Sequence, residues 1–122
     1  MKILALDASG QVASIALAED DKLLGEYTMN TKKTHSQTLL PMVDALLHLI
    51  GEDKNTIDAV AVAGGPGSFT GLRIGSATAK GLSYAWGVPI ISVPTVDAIA
   101  YNMVGSDGLI CPVLDARRQQ TY

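Results

Sequence analysis

Three short segments, each apolar or alternating, open the chain: 2–7 (KILALD), 12–19 (VASIALAE) and 23–29 (LLGEYTM), separated by Ser9-Gly10 and Asp20-Asp21. Alternation with a period of two puts successive side chains on opposite faces of a strand, and the polar dipeptides supply turns, so the spacing predicts a three-stranded meander. The period then lengthens. Over 34–51, Leu39, Val43, Leu46 and Ile50 recur at helical spacing, with Thr34 and Gln37 placed for a capping box. Pro41 lies within that stretch and leaves the helix start open, because an interior proline removes a helix hydrogen bond.

Residues 57–63 are rich in β-branched residues and alanine and end at Gly64-Gly65, the pattern of a strand buried on both faces with helices above and below. A second helix is expected from about Thr70 to Trp86, stopped by Gly87 and Pro89. Residues 89–93 form the next strand. Thr95 is placed to cap a third helix, with Val96, Ile99, Ala100 and Met103 on one face and Gly105 at its end. The order βββαβαβα describes an α/β domain, a mixed sheet of about five strands flanked by helices. That is the layout of the ribonuclease H-like lobe of actin and sugar kinases. It is assigned to residues 1–105. Residues 109–115 read as another buried strand ending in Asp115, as 3–7 ends in Asp7, so 106–122 is expected to open a second lobe that the chain does not complete.

With 122 residues, 48% of them hydrophobic, and a mean hydropathy of +0.25, there is ample material for a core. A net charge of -3 offers no bulk attraction to phosphate backbones, so any role with nucleic acid is expected to be indirect. Cys111 is the single cysteine, which excludes an intramolecular disulfide and a cysteine zinc site and fits a reducing, cytoplasmic setting. The first apolar run breaks at Asp7, too early for a signal-peptide core, and 59–64 is far short of the ~20 residues that cross a bilayer. No membrane partner is expected.

Candidate chemistry is sparse. The loop Gly64 to Gly71 runs from a strand into a helix start, where free N–H groups and the helix dipole favour anions. It matches neither a P-loop nor Gly-x-Gly-x-x-Gly, and tight turning with close helix packing is the preferred reading. Asp7 and Ser9, with Gly65 and Gly67, are the candidate anion or nucleotide contacts, against a turn-capping role for Asp7. His35 and His48 lie thirteen residues apart and make no metal spacing. Cys111, between Ile110 and Pro112, reads as a buried inert thiol. Arg73 and Lys80 share one side of the second helix, read as solvent-facing or turned to an acidic partner. No catalytic residue, metal or cofactor is assigned.

Residues 60–93 (VAVAGGPGSFTGLRIGSATAKGLSYAWGVPIISV) resemble the TsaB family, also called YeaZ, of bacterial threonylcarbamoyladenosine biosynthesis proteins. The opening MKILALDAS, the segment His35-Ser36-x-x-Leu39-Leu40-Pro41 and the tail PVLDARRQQTY at 112–122 resemble it in the same order. The run is shared with the catalytic relative TsaD, where a His-His-Met-Glu-Gly-His segment follows the strand equivalent to 89–93. Thr95 and Ile99 stand where that relative carries its metal-binding histidines, and neither side chain suits a divalent metal. The resemblance therefore implies a non-catalytic subunit that pairs with a TsaD-like transferase, alongside a TsaE-like ATPase and an adenylate synthase, and that forms homodimers alone. The alternative is an actin-like small-molecule kinase or ATPase using Asp7 and the glycine loop.

The first helix is the expected interface. At 100° per residue Leu39, Leu40, Met42, Val43, Leu46, Leu47, Leu49 and Ile50 sweep about 180°, whereas one core contact needs about 100°. The second helix is expected to contribute Gly71, Arg73, Ile74 and Gly75, the small residues admitting a close partner helix. By resemblance, two helices from each partner would form a four-helix contact.

Overall fold

The computed structural model describes residues 1–31 and 33–122. Strands β1 (Lys2–Asp7), β2 (Ala13–Glu19) and β3 (Lys22–Met29) form the meander, followed by α1 (His35–Ile50), β4 (Ala59–Ala63), α2 (Phe69–Trp86), β5 (Ile90–Val93) and α3 (Thr95–Tyr101). The five strands make one sheet in the order β3-β2-β1-β4-β5. The meander pairs antiparallel, and the β1–β4 and β4–β5 pairs are parallel, as helical crossovers require. This is the expected mixed sheet.

Register explains the core. Leu4 pairs with Leu17 and Val60, and Leu6 with Ile15 and Val62, so one face presents a continuous apolar layer. Leu39, Met42, Val43 and Leu46 of α1 and Ala79 of α2 cover it. Gln37 Oε1 accepts the Thr34 N–H at 3.3 Å at the start of α1, which runs through Pro41, and Gly87, at φ 66, ends α2 in the left-handed cap that favours glycine.

Both long helices lie on one face of the sheet, and α3 lies over the other, where its Ala98 lines a pocket with Ala61 and Ala63 of β4. On that second face Ala59, Ala61 and Ala63 are buried as well. Several expectations are corrected. Thr95 does not cap α3. It is the first helical residue, buried, with an Oγ1 that finds no hydrogen-bond partner among the described residues, and Pro94 precedes it as N-cap. Beyond Tyr101 the chain coils on through turns such as Met103 N–H to Ala100 O at 3.0 Å, leaving Met103 exposed rather than on a buried face. A 3₁₀ turn at Lys54–Thr56, capped by Asp53, was not foreseen.

The tail differs most. Leu109 to Leu114 forms no strand and is largely exposed, because no described strand lies beside it to pair with or bury it. Cys111 is accordingly exposed, not buried. Pairing begins only at β6 (Asp115–Arg117), which meets β7 (Gln120–Thr121) in a small hairpin.

Candidate protein-interaction site

The glycine loop is filled by the chain's own backbone. Ser68 N–H donates to Ser9 O at 2.7 Å, and Ser68 Oγ accepts from Gly71 N–H at 3.2 Å, capping α2. A Cβ at Gly67 would lie 2.6 Å from Ser9 O, and one at Gly71 would overlap the Ala8 carbonyl oxygen. The positive end of α2 thus faces peptide carbonyls of the β1–β2 loop, and the glycines let the two backbones meet. Asp7 closes the same loop, its Oδ1 accepting from Ser9 N–H at 2.9 Å and Ser9 Oγ–H at 2.6 Å. Gly65 O accepts from Thr95 N–H at 2.8 Å. Asp7, Ser9 and Gly67 therefore come together as a packed, self-satisfied turn.

His35 completes that junction. Its Nε2 lies 2.7 Å from Gly10 O, tying the start of α1 to the β1–β2 loop twenty-five residues earlier. Sequence reasoning left His35 without this partner, since no local pattern announces so distant a contact. His48 is exposed beside Asp44. Among the described residues no group of three or more His, Cys, Asp or Glu is placed to hold a metal.

The apolar arc of α1 divides in two. Leu39, Met42, Val43 and Leu46 face the sheet and are core rather than surface. Leu40 is 54% and Leu49 70% exposed, with Leu47 and Ile50 part-buried at the margins. Gly71 and Gly75 also turn inward, against Ala8 and Val62, so they admit the β1–β2 loop and sheet instead of a partner helix. On α2 the outward residues are Phe69, Arg73, Lys80 and Tyr84, with Ile74 part-buried. Between α1 and α2 lies a groove of about 450 Å³, floored by Val43, Leu47, Leu82 and Trp86 and flanked by Leu40, Asp44 and His48. Such a surface, apolar at its floor and polar at its rim, has the composition of a protein contact.

Residues 22–122 match the family model for TsaD, tRNA N6-adenosine threonylcarbamoyltransferase. Over its whole length the chain is 41% identical to the tRNA threonylcarbamoyladenosine biosynthesis protein TsaB of Bacillus subtilis and 35% identical to that of Escherichia coli, spanning 53% of each. It thus covers about half the length of these relatives. A solved structure of YeaZ from Pseudomonas aeruginosa superposes with a TM-score of 0.85 at 32% identity, over 98% of this chain and 57% of that one. The sheet and helices are those of the actin-like, ribonuclease H-like fold. Among the described residues no helix is long and apolar enough to cross a membrane.

Proposed function

We propose, because this chain belongs to the family described by that model and is a TsaB (YeaZ) type member of it, that it acts in tRNA threonylcarbamoyladenosine biosynthesis as a non-catalytic subunit. Its partner is a TsaD-like transferase, docked on the outer surface of α1 and α2. A TsaE-like ATPase joins the assembly, tRNA is met only through it, and the chain self-associates when the transferase is absent. The chain folds as an amino-terminal lobe at 1–105, and 106–122 opens a second lobe.

The observation that carries this reading is the division of α1: four apolar residues satisfy the core, and Leu40 remains exposed beside an apolar groove that none of the described residues covers. The kinase alternative has less support, because the loop it would use is filled by Ala8 and Ser9. The test is Leu40→Glu in the full-length protein, assayed by pull-down with the transferase subunit and by reconstituted tRNA modification. A folded variant that neither binds nor supports modification is expected. Normal binding by that variant would place the interface elsewhere.

A further inference from the structure

The outward side of α2 carries a charge pattern that the groove alone does not explain. Phe69, Arg73, Lys80 and Tyr84 fall within an arc of about 60° and form one ridge along the helix. Phe69 is 74% and Tyr84 92% exposed, and the Arg73 guanidinium sits 5.3 Å from the centre of the Phe69 ring. That contact holds the arginine against its own helix with its charge outward. No acidic residue occurs between Asp58 and Asp97, so the ridge is purely cationic on a chain whose net charge is -3. Among the described residues neither Arg73 nor Lys80 has an ion-pair partner.

The acids that line the groove between α1 and α2 are mostly engaged. Glu52 Oε2 takes Lys2 Nζ at 2.8 Å and Thr56 Oγ–H at 3.1 Å, and Asp53 Oδ1 accepts from Asn55 N–H at 2.8 Å. Asp44 is left, one carboxylate for two cations. Self-pairing along α2 is worse than neutral. An antiparallel pair of these helices, centred between Arg73 and Lys80, sets Arg73 of one copy against Lys80 of the other, twice over, and like charges held that close repel. RNA is poorly served as well, because two cations neutralise few phosphates and nucleic-acid affinity grows with the number neutralised.

We infer that the α2 ridge docks a partner helix bearing carboxylates about two turns, or ~10.5 Å, apart, and that Arg73 and Lys80 select this partner over a second copy of the chain. The inference rests on the subunit reading above and adds the chemistry of the partner surface. Phe69 and Tyr84 flank the two charges and shield them from water once the partner is seated.

The experiment compares full-length wild type with Arg73→Glu/Lys80→Glu, the charge-conserving Arg73→Lys/Lys80→Arg and the single Arg73→Glu. Affinity for the transferase subunit is measured by calorimetry at low and high salt, self-association by sedimentation, tRNA binding by filter retention, and folding by circular dichroism. The double reversal is expected to fold normally and lose at least about tenfold in affinity, while the conservative pair stays within about threefold and wild-type affinity falls with salt. Arg73→Glu alone is expected to tighten self-association, since the introduced carboxylate of one copy would then oppose Lys80 of the other. Unchanged transferase affinity in the double reversal, with Leu40→Glu still disruptive, overturns this proposal and leaves the subunit reading standing. Loss of self-association only, or of tRNA binding only, also overturns it, assigning the ridge to a second copy or to RNA. Absence of any wild-type complex with the transferase overturns both.

Discussion

Three glycines on α2 sit in three different environments, and replacing each with alanine tests whether the glycine loop serves packing or ligand binding. Alanine is the better helix former by about 0.8–1.0 kcal/mol, so each substitution starts from the same gain. At Gly81 a Cβ meets nothing within 4 Å, and the full gain of about 1 kcal/mol is expected. At Gly75 it lies 3.5 Å from Val62 Cγ2 and 3.6 Å from Ala8 Cβ, ordinary contact distances, so the gain survives with a little added burial. At Gly71 it would overlap the Ala8 carbonyl, a backbone group that moves only if the β1–β2 loop moves. Overpacking of this kind costs about 1–3 kcal/mol, and separating the loop weakens the Ser68 to Ser9 hydrogen bond, worth about 1 kcal/mol more. Gly71→Ala should therefore lose about 1–3 kcal/mol net while its two neighbours gain. For a domain of this size 1 kcal/mol moves Tm by about 4 °C, so thermal unfolding followed by circular dichroism separates the signs. A Gly71→Ala protein as stable as wild type would refute the packing account. Stabilisation of wild type by ATP or phosphate, absent in Gly71→Ala, would instead favour the anion reading.

Other consequences follow from burial and charge. Met42→Glu places an unpaired charge in the core and should unfold the domain at a cost of several kcal/mol, whereas Leu49→Glu on the exposed side should leave Tm nearly unchanged; equal effects would contradict the division of α1. Thr95→Val removes a buried hydroxyl that finds no partner among the described residues and should stabilise by about 1–2 kcal/mol in urea unfolding, and a loss of that size would show the hydroxyl to be satisfied. The Glu52 carboxyl is held below its ordinary 4.5 by the hydrogen bond from Lys2 Nζ and then by that from Thr56. Its contribution is complete above 4.5 and lost as the pH falls through the depressed folded value, so Glu52→Gln should flatten the acid limb of a Tm–pH profile; parallel limbs would deny the pair any role.

Local signals carried most of the fold. The meander, both long helices and their order were legible because periodicity, Gln37 at the start of α1 and Gly87 at the end of α2 act within a few residues of where they are read. Orientation was not. A helical wheel shows that Gly71, Gly75 and Ala79 share a stripe, but small residues permit close approach to any neighbour, and here the neighbours are the β1–β2 loop and the sheet. The same limit hid the sharing of α1, since its 180° of apolar surface announced a surplus without saying that Met42 is core and Leu49 surface. The 3₁₀ turn at Lys54–Thr56 is shorter than any period, and the His35 contact to Gly10 spans a gap that no window covers.

The tail makes the dependence on context explicit, because part of the sequence occurs twice with different outcomes. Leu6-Asp7-Ala8 closes β1, and Leu114-Asp115-Ala116 recurs after the apolar run 109–114. The turn chemistry repeats as well: Asp7 Oδ1 accepts from Ser9 N–H at 2.9 Å, Asp115 Oδ1 from Arg117 N–H at 2.7 Å, and an antiparallel strand follows each. What differs is the company. β1 lies between β2 and β4, each of its backbone edges paired, with α1 and α2 covering one face. Among the described residues no strand flanks 109–114, and β7 offers two residues of partner only from Asp115 onward. An apolar run with strand propensity becomes a strand when neighbours satisfy its amides and remove its side chains from water, and Leu109, Ile110 and Val113 have neither, which is why they stay exposed. The aspartate turn is thus local and forms in both places, whereas the strand before it depends on neighbours and forms only at β1.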